Sequence, residues 1–114
     1  MSWNIVYYET SNGNIPVFEF IQKLDPKSKS RVIELLDTLS DYGINLGLPH
    51  SKKLTGTKIW ELRILNPKNI RIFYVAVVDK KFLLLHGFIK KKQKTDRREI
   101  KIAEERLLDY IAKL

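Results

Sequence analysis

Cysteine is absent from the chain, which removes disulfide stapling, thiol chemistry and cysteine-ligated metal sites. Its absence fits a reducing cytosol. Histidine is scarce: only His50 and His86 occur, so a paired-histidine mechanism would need both. Glu61, Asp79, Asp96 and Glu99 do not form a spaced carboxylate cluster, and no paired-histidine motif is present. Glycines number five, and Gly43, Gly47 and Gly56 are too scattered to make a phosphate-cradling loop. Long apolar runs are missing too. The longest membrane candidate, Ile70 to Val78, is about half the length a span needs and contains Arg71. The opening segment MSWNIVYYETSNGN has neither the basic start nor the apolar run of a secretory signal. These absences predict a soluble, cytoplasmic protein with no metal, no cofactor and no membrane partner.

Positive charge is what the chain has in excess. Its 114 residues, 44% hydrophobic and 30% charged, suit one domain, residues 1–114, with a single core between helices and a sheet. There is no low-complexity tract and no internal repeat. The 21 basic and 13 acidic residues give a net charge of +8. Such an excess favours nucleic acid, an anionic membrane surface or an acidic protein as partner.

Hydrophobic periodicity orders the elements. Trp3 to Tyr8 reads as a strand, and Asn12-Gly13 breaks it. Pro16, then Val17, Phe20, Ile21 and Leu24, mark a short helix. Asp25-Pro26 starts a second, whose stripe is Val32, Leu35, Leu36 and Leu39 and whose stop is Gly43. Asn45 to Gly56 reads as a loop. Three strands follow: Trp60 to Leu65, Ile70 to Val78 as the central, doubly covered one, and Phe82 to Ile89. Asp96 and Glu99 have capping-box spacing, and Ile100, Ala103, Leu107, Ile111 and Leu114 form the stripe of a last helix. The order β-α-α-β-β-β-α predicts an α+β fold, with an antiparallel sheet packed against an N-terminal helical hairpin and a C-terminal helix.

Two arginines stand inside the apolar strands. Arginine offers five donors in a fixed fork and stays charged when half-buried, which suits a grip on phosphate. Arg63 and Arg71 must each find a partner, either an anion or a carboxylate such as Glu61, Asp79 or one from a helix. If Leu65 pairs with Ile70, the two arginines lie on opposite faces. A one-residue bulge brings them onto one face, the arrangement that an anion site needs. RNA carries its own nucleophile, the 2′-hydroxyl, so a protein need only align it, move protons and stabilise charge on phosphorus. His50, in a basic loop, can serve as acid or base. His86, late in an apolar strand, reads more readily as a satisfied structural residue. The helix from Asp25 to Leu39 has mixed charge outside and no recognition helix after it, unlike DNA-reading modules. Phe73, Tyr74, Phe82 and Phe88 read as core rather than as base-stacking platforms.

The segments WELRI (60–64), IRIFYV (70–75), LLHGFIKKKQKT (84–95) and EIKIA (99–103) resemble the phage-derived branch of the RelE/HigB toxin superfamily. The likeness spans nearly the whole chain, including the helical hairpin and the KKLTG segment. It implies a RelE-like fold and the toxin component of a type II toxin-antitoxin system. The implied activity is a metal-independent, ribosome-dependent mRNA endoribonuclease that uses the RNA 2′-hydroxyl as nucleophile. The implied partners are a cognate helix-turn-helix antitoxin, the ribosome with its mRNA, and operator DNA through the antitoxin complex. Arg63 and Arg71 match arginines that bind the cleaved phosphate, Lys53 a catalytic loop lysine, Lys91 the catalytic part of the basic segment, and His50 a loop histidine. Lys52, Lys90, Lys92, Lys94 and Arg97 are the expected RNA-binding set. Asp96 stands where relatives often have proline, and Tyr110 lies too far along to match a catalytic tyrosine. The alternative is a non-catalytic nucleic-acid- or antitoxin-binding protein of the same fold, acting in transcriptional regulation.

Overall fold

The apolar run Ile70–Val77 is the middle of a five-stranded sheet, and everything else is laid against it. The computed structural model describes residues 2–114. In chain order its elements are β1 (Asn4–Tyr7), α1 (Pro16–Gln22), α2 (Pro26–Tyr42), a 3-10 turn (Gly43–Asn45), β2 (Ser51–Lys53), β3 (Trp60–Ile64), β4 (Ile70–Val77), β5 (Lys81–Ile89) and α3 (Arg97–Ala112). The strands lie in the order β1-β5-β4-β3-β2. Pairing is antiparallel except between β1 and β5, which run parallel. The α+β architecture expected from the sequence is therefore present, with a mixed rather than purely antiparallel sheet.

Each face of the sheet has its own apolar layer, because side chains alternate along every strand. On one face Leu62, Ile64, Ile70, Ile72 and Leu84 meet Val17, Ile21, Val32, Leu35 and Leu39 of the helical hairpin. On the other, Ile59, Phe73, Val75, Leu83 and Leu85 meet Ala103, with Ile100 and Leu107 packed against them. Helix α2 starts where Asp25 accepts from the Ser28 amide, and Pro26 fills the first turn. The ion pair with Lys68 at 3.1 Å and the Ser28 bonds hold the Asp25 carboxyl well below the usual carboxylate range, the Ser28 bond contributing most. Phe73, Tyr74, Phe82 and Phe88 are all buried, as core residues should be.

Two expectations need correction. The segment from Asn45 to Gly56 is not simply a loop: Ser51–Lys53 forms an edge strand on β3. Its three residues carry no apolar alternation, so only the pairing partner makes it a strand. The register between β3 and β4 also differs. Ile64, not Leu65, faces Ile70, which leaves Leu65 in the turn and sets Arg63 directly opposite Arg71. The arginines share a face without a bulge between β3 and β4; the irregularity lies between Phe73 and Tyr74 against β5.

Gly43 closes α2 at a positive φ of 59° and donates its amide to Leu39 O. A Cβ there would overlap Nε1 of the Trp3 indole. Trp3 has little room to yield: its ring stacks on Phe82 at 4.4 Å and its amide donates to Ser40 O at 2.9 Å. Gly43→Ala is expected to cost about 2–4 kcal/mol, from backbone strain and overpacking together. Urea titration reads this directly; a loss below about 0.5 kcal/mol would show that the Trp3 contact is not a constraint.

Candidate functional site

The α3 face of the sheet changes character at the end nearest the β3–β4 turn. Glu61 and Arg63 are two apart on β3, so both point to this face. Their register partners on β4 are Phe73 and Arg71, and Lys52 of β2 lies opposite Glu61. Arg71 is 2% exposed and Glu61 5%, so neither charge is solvated and each must be neutralised by a neighbour.

Glu61 Oε1 stands between the two guanidiniums, 3.6 Å from Arg63 Nε and 3.5 Å from Arg71 Nε. The Thr95 hydroxyl donates to Glu61 Oε2 at 3.5 Å. Arg71 Nη1 donates to Asn69 Oδ1 and to Ile70 O, at 2.5 and 3.2 Å. The Nε–H groups of both arginines are buried without a hydrogen-bond acceptor. One carboxylate is thus shared by two forks that keep unused donors. Burial lowers the Arg71 pKa from the ordinary arginine value, Glu61 opposes that shift, and Arg63 adds to it. The Arg63 side chain retains 27% exposure, so it is the fork that solvent and ligands can reach.

Lys90 completes this cluster. Its amide donates to Asn69 O at 2.7 Å, extending the β4–β5 ladder past Ile70 and Ile89. Its ammonium pKa is lowered, first by burial and then by Arg71, with Arg63 and Lys52 adding and Glu61 opposing. A lysine so placed gives up its proton more easily than one in water. His50 belongs here as well. The Arg63 amide donates to His50 O at 2.8 Å, which carries the β2–β3 register one step further and sets His50 opposite Arg63.

The other sequence candidates do not converge on this point. Lys53 faces Trp60 in the register and so lies on the helical-hairpin face, away from the arginines. Lys91, Lys92 and Lys94 are exposed around a depression between the end of β5 and the start of α3, which Lys90 also lines. Asp96, which also lines it, lies 3.9 Å from Lys92. Asp96 caps α3 by accepting from the Arg98 amide, and its side-chain bond to Arg98 is the main reason its pKa falls to about 2. Arg97 turns toward the Thr55–Thr57 turn instead. Among the described residues no His, Asp or Glu group is arranged to hold a metal.

Two features of the site escaped the sequence. The sequence offers Glu61 as one possible arginine partner among several and as a poor metal ligand, although its i,i+2 spacing to Arg63 already places the two on one strand face. Glu99 does not complete a capping box. It reaches His86 Nε2 at 2.8 Å, while Arg106 Nη1 donates to His86 Nδ1 at 3.3 Å and to Leu85 O at 2.9 Å. This arrangement suits neutral histidine, with Nε2 donating and Nδ1 accepting. A second proton would face the Arg106 cation. Burial lowers the His86 pKa more than the Glu99 carboxylate raises it, and Arg106 adds to the lowering. His86 is a satisfied structural residue stacked on Phe88 at 5.4 Å.

The profile of the family described as phage-derived protein Gp49-like (DUF891) matches residues 19–108. No curated protein matches the chain in sequence. Among solved structures, the chain is similar to a double arginine-to-alanine mutant of the E. coli toxin RelE in the free state. The TM-score is 0.63 and the identity 11%, over 93% of this chain and 98% of that one. A likeness at that identity shows the fold.

Glu61→Gln leaves two facing guanidiniums without their counter-charge. The expected loss is about 3 kcal/mol, the lower end of the usual range because Arg63 still reaches water. Inorganic phosphate should restore more stability to the variant than to the parent, since an anion can take the place of the carboxylate. Equal responses of the two melting temperatures would show that the arginine pair does not accept anions. A second expectation concerns pH. Because His86 binds its proton more weakly folded than unfolded, its contribution is complete above the ordinary value of 6.5 and is lost as pH falls through the lower folded value. His86→Gln should flatten that part of a stability-against-pH curve; an unchanged slope would exclude His86 as its source.

Proposed function

The chain belongs to the phage-derived Gp49-like family, and from that premise we propose that it is the toxin of a type II toxin-antitoxin pair. Its reaction would be endonucleolytic cleavage of mRNA on the ribosome. The observation that carries this reading is the Arg63–Arg71 pair closed around Glu61, with Lys90 beside it, on a fold shared with the toxin RelE. An antitoxin with a helix-turn-helix domain and operator DNA bound through it would complete the system.

Each group has a task in such a reaction. The 2′-oxygen attacks the adjacent phosphorus, the bond from phosphorus to the 5′-oxygen breaks, and a 2′,3′-cyclic phosphate and a 5′-hydroxyl result. Arg63, partly open to solvent, meets the non-bridging oxygens as their charge grows, and donors fixed before reaction are the efficient ones. Arg71 stands behind it, too buried to be the first contact, and keeps the local field positive. Lys90 in its neutral form accepts the 2′-hydroxyl proton. A proton returns to the leaving oxygen from Lys52 or His50. The exposed Lys91, Lys92 and Lys94 grip RNA further along its backbone.

The near-complete burial of Arg71 favours one competing reading, in which the arginines serve only to hold the sheet and the protein binds nucleic acid or an antitoxin without cutting. Expression in a bacterial host with primer extension on translated messages separates the two. Cleavage predicts growth arrest with cuts inside ribosome-occupied codons, reduced about 100-fold by Arg63→Ala. Lys90→Arg keeps the positive charge but cannot release a proton, so it should remove the rise of cleavage with pH that a lysine base produces. Arrest without cuts, unchanged by Arg63→Ala, would leave the non-catalytic reading.

A further inference from the structure

The side chains along one side of α3 change from charged to apolar in a single row. Arg97, Lys101, Glu104, Leu108 and Ile111 follow at alternating steps of four and three residues, which puts them on one helix face. That face and the turn before β3 form the two walls of a continuous groove. Its first half lies between Thr55 and the pair Arg97 and Lys101, and its second between Lys58 and the pair Leu108 and Ile111. Gly56, Thr57 and Glu104 line both halves. At 1.5 Å per residue the row runs for about 21 Å.

Among the described residues, nothing covers Leu108 and Ile111 in the apolar half. The periodicity predicts a stripe buried to the end of the helix, yet the only fully buried residue of α3 is Ala103. Leu108 is 67% exposed, Ile111 52% and Leu114 85%. The last turns of the helix keep Asp109 and Tyr110 toward the sheet but carry Leu108 and Ile111 into solvent. Clustered exposed aliphatics beside a groove mark an interaction surface.

We propose that this groove receives an amphipathic helix of a partner protein, apolar at one end and acidic at the other. Its apolar residues would pack on Leu108 and Ile111, and its carboxylates would meet Lys58, Lys101 and Arg97. Three cations against the single carboxylate of Glu104 set the sign of the partner. A second copy of this chain fits poorly. Parallel pairing of α3 would oppose Arg97 and Lys101 to themselves, and antiparallel pairing would lay those cations on Leu108 and Ile111. RNA finds no cation among Leu108, Ile111 and Leu114. An anionic lipid surface would meet Glu104 and the exposed Glu105. The groove shares no lining residue with the arginine site, so the inference holds whether or not the chain cuts RNA.

The test uses the full chain and a designed peptide of about 14 residues, the length matched to the groove. Leucines occupy its C-terminal half at helical spacing and glutamates its N-terminal half; a scrambled peptide of the same composition is the control. Fluorescence anisotropy should show saturable binding of the designed peptide, weakened at least about tenfold by Leu108→Asn and by Lys101→Glu, with the second effect shrinking at high salt. Both positions are exposed, so melting temperatures of the variants should match the parent. RNA cleavage, where present, should be unchanged in both. No preference over the scrambled peptide, or equal binding by all three proteins, would overturn the proposal. So would concentration-dependent dimerisation abolished by Leu108→Asn, which would assign the groove to a second copy.

Discussion

A carboxylate enclosed by two guanidiniums sets the register between β3 and β4 at the centre of the sheet. Glu61, Arg63 and Arg71 can neutralise one another only if Arg63 stands directly opposite Arg71, because a slip of one residue sends Arg71 to the other face. An arginine stranded in the apolar layer under the helical hairpin would be an unpaired buried charge, costing several kcal/mol. The same slip would turn Ile70 and Ile72 away from Val32, Leu35 and Leu39. Charge and hydrophobic pattern therefore select one pairing. The ion cluster is less a source of net stability than a penalty on every alternative arrangement of β3 and β4.

This constraint also shapes what the site can do. A buried ion pair with perfect hydrogen bonding would be chemically inert. Here Glu61 touches both Nε groups at ion-pair rather than hydrogen-bond distance and leaves their protons without acceptors. Lys52 and Lys90 add two more cations at the rim, so the surroundings of the single carboxylate remain positive. An anion arriving at Arg63 meets donors already oriented by the strands, with little reorganisation needed. The lowered pKa of Lys90 comes first from burial; the same neighbouring cations that attract anions then make its proton harder still to hold.

Much of the fold was legible because its elements rest on strong periodic signals. The α2 stripe, the Asp25-Pro26 start, the Gly43 stop and the uninterrupted β4 run all appear as read. Strand β2 was not legible: Ser51, Lys52 and Lys53 show no alternation, and the strand exists because β3 offers an edge. The consequence for the site was specific. The resemblance singles out Lys53 as catalytic and leaves Lys52 among the RNA-binding residues, whereas pairing sends Lys52 to the arginine face and Lys53 to the other. The meeting of Arg63 and Arg71 was one of two registers, and the turn length that decides between them depends on where Leu65 sits. Lys90 and Lys91 are neighbours in a basic run; only the β4–β5 ladder, continued to Asn69, puts Lys90 at the cluster.

Helix α3 joins the sheet by an unusual division of labour. Polar contacts hold it along its length: Thr95 just before it to Glu61, Glu99 to His86, Arg106 to Leu85 O, and Tyr8 donating to Asp109 at 2.5 Å. Apolar packing by Ile100, Ala103, Leu107 and Tyr110 lies on its sheet-facing side only. Hydrogen bonds fix position sharply but tolerate little displacement, while apolar contacts slide. The helix is therefore held in one place with its outer apolar residues unspent. Its first turn stands between the two surfaces, with Thr95 and Glu99 turned to the sheet and Arg97 to the groove. A load on the groove that moved this turn would reach Glu61 and His86 through two side chains, within five residues of sequence.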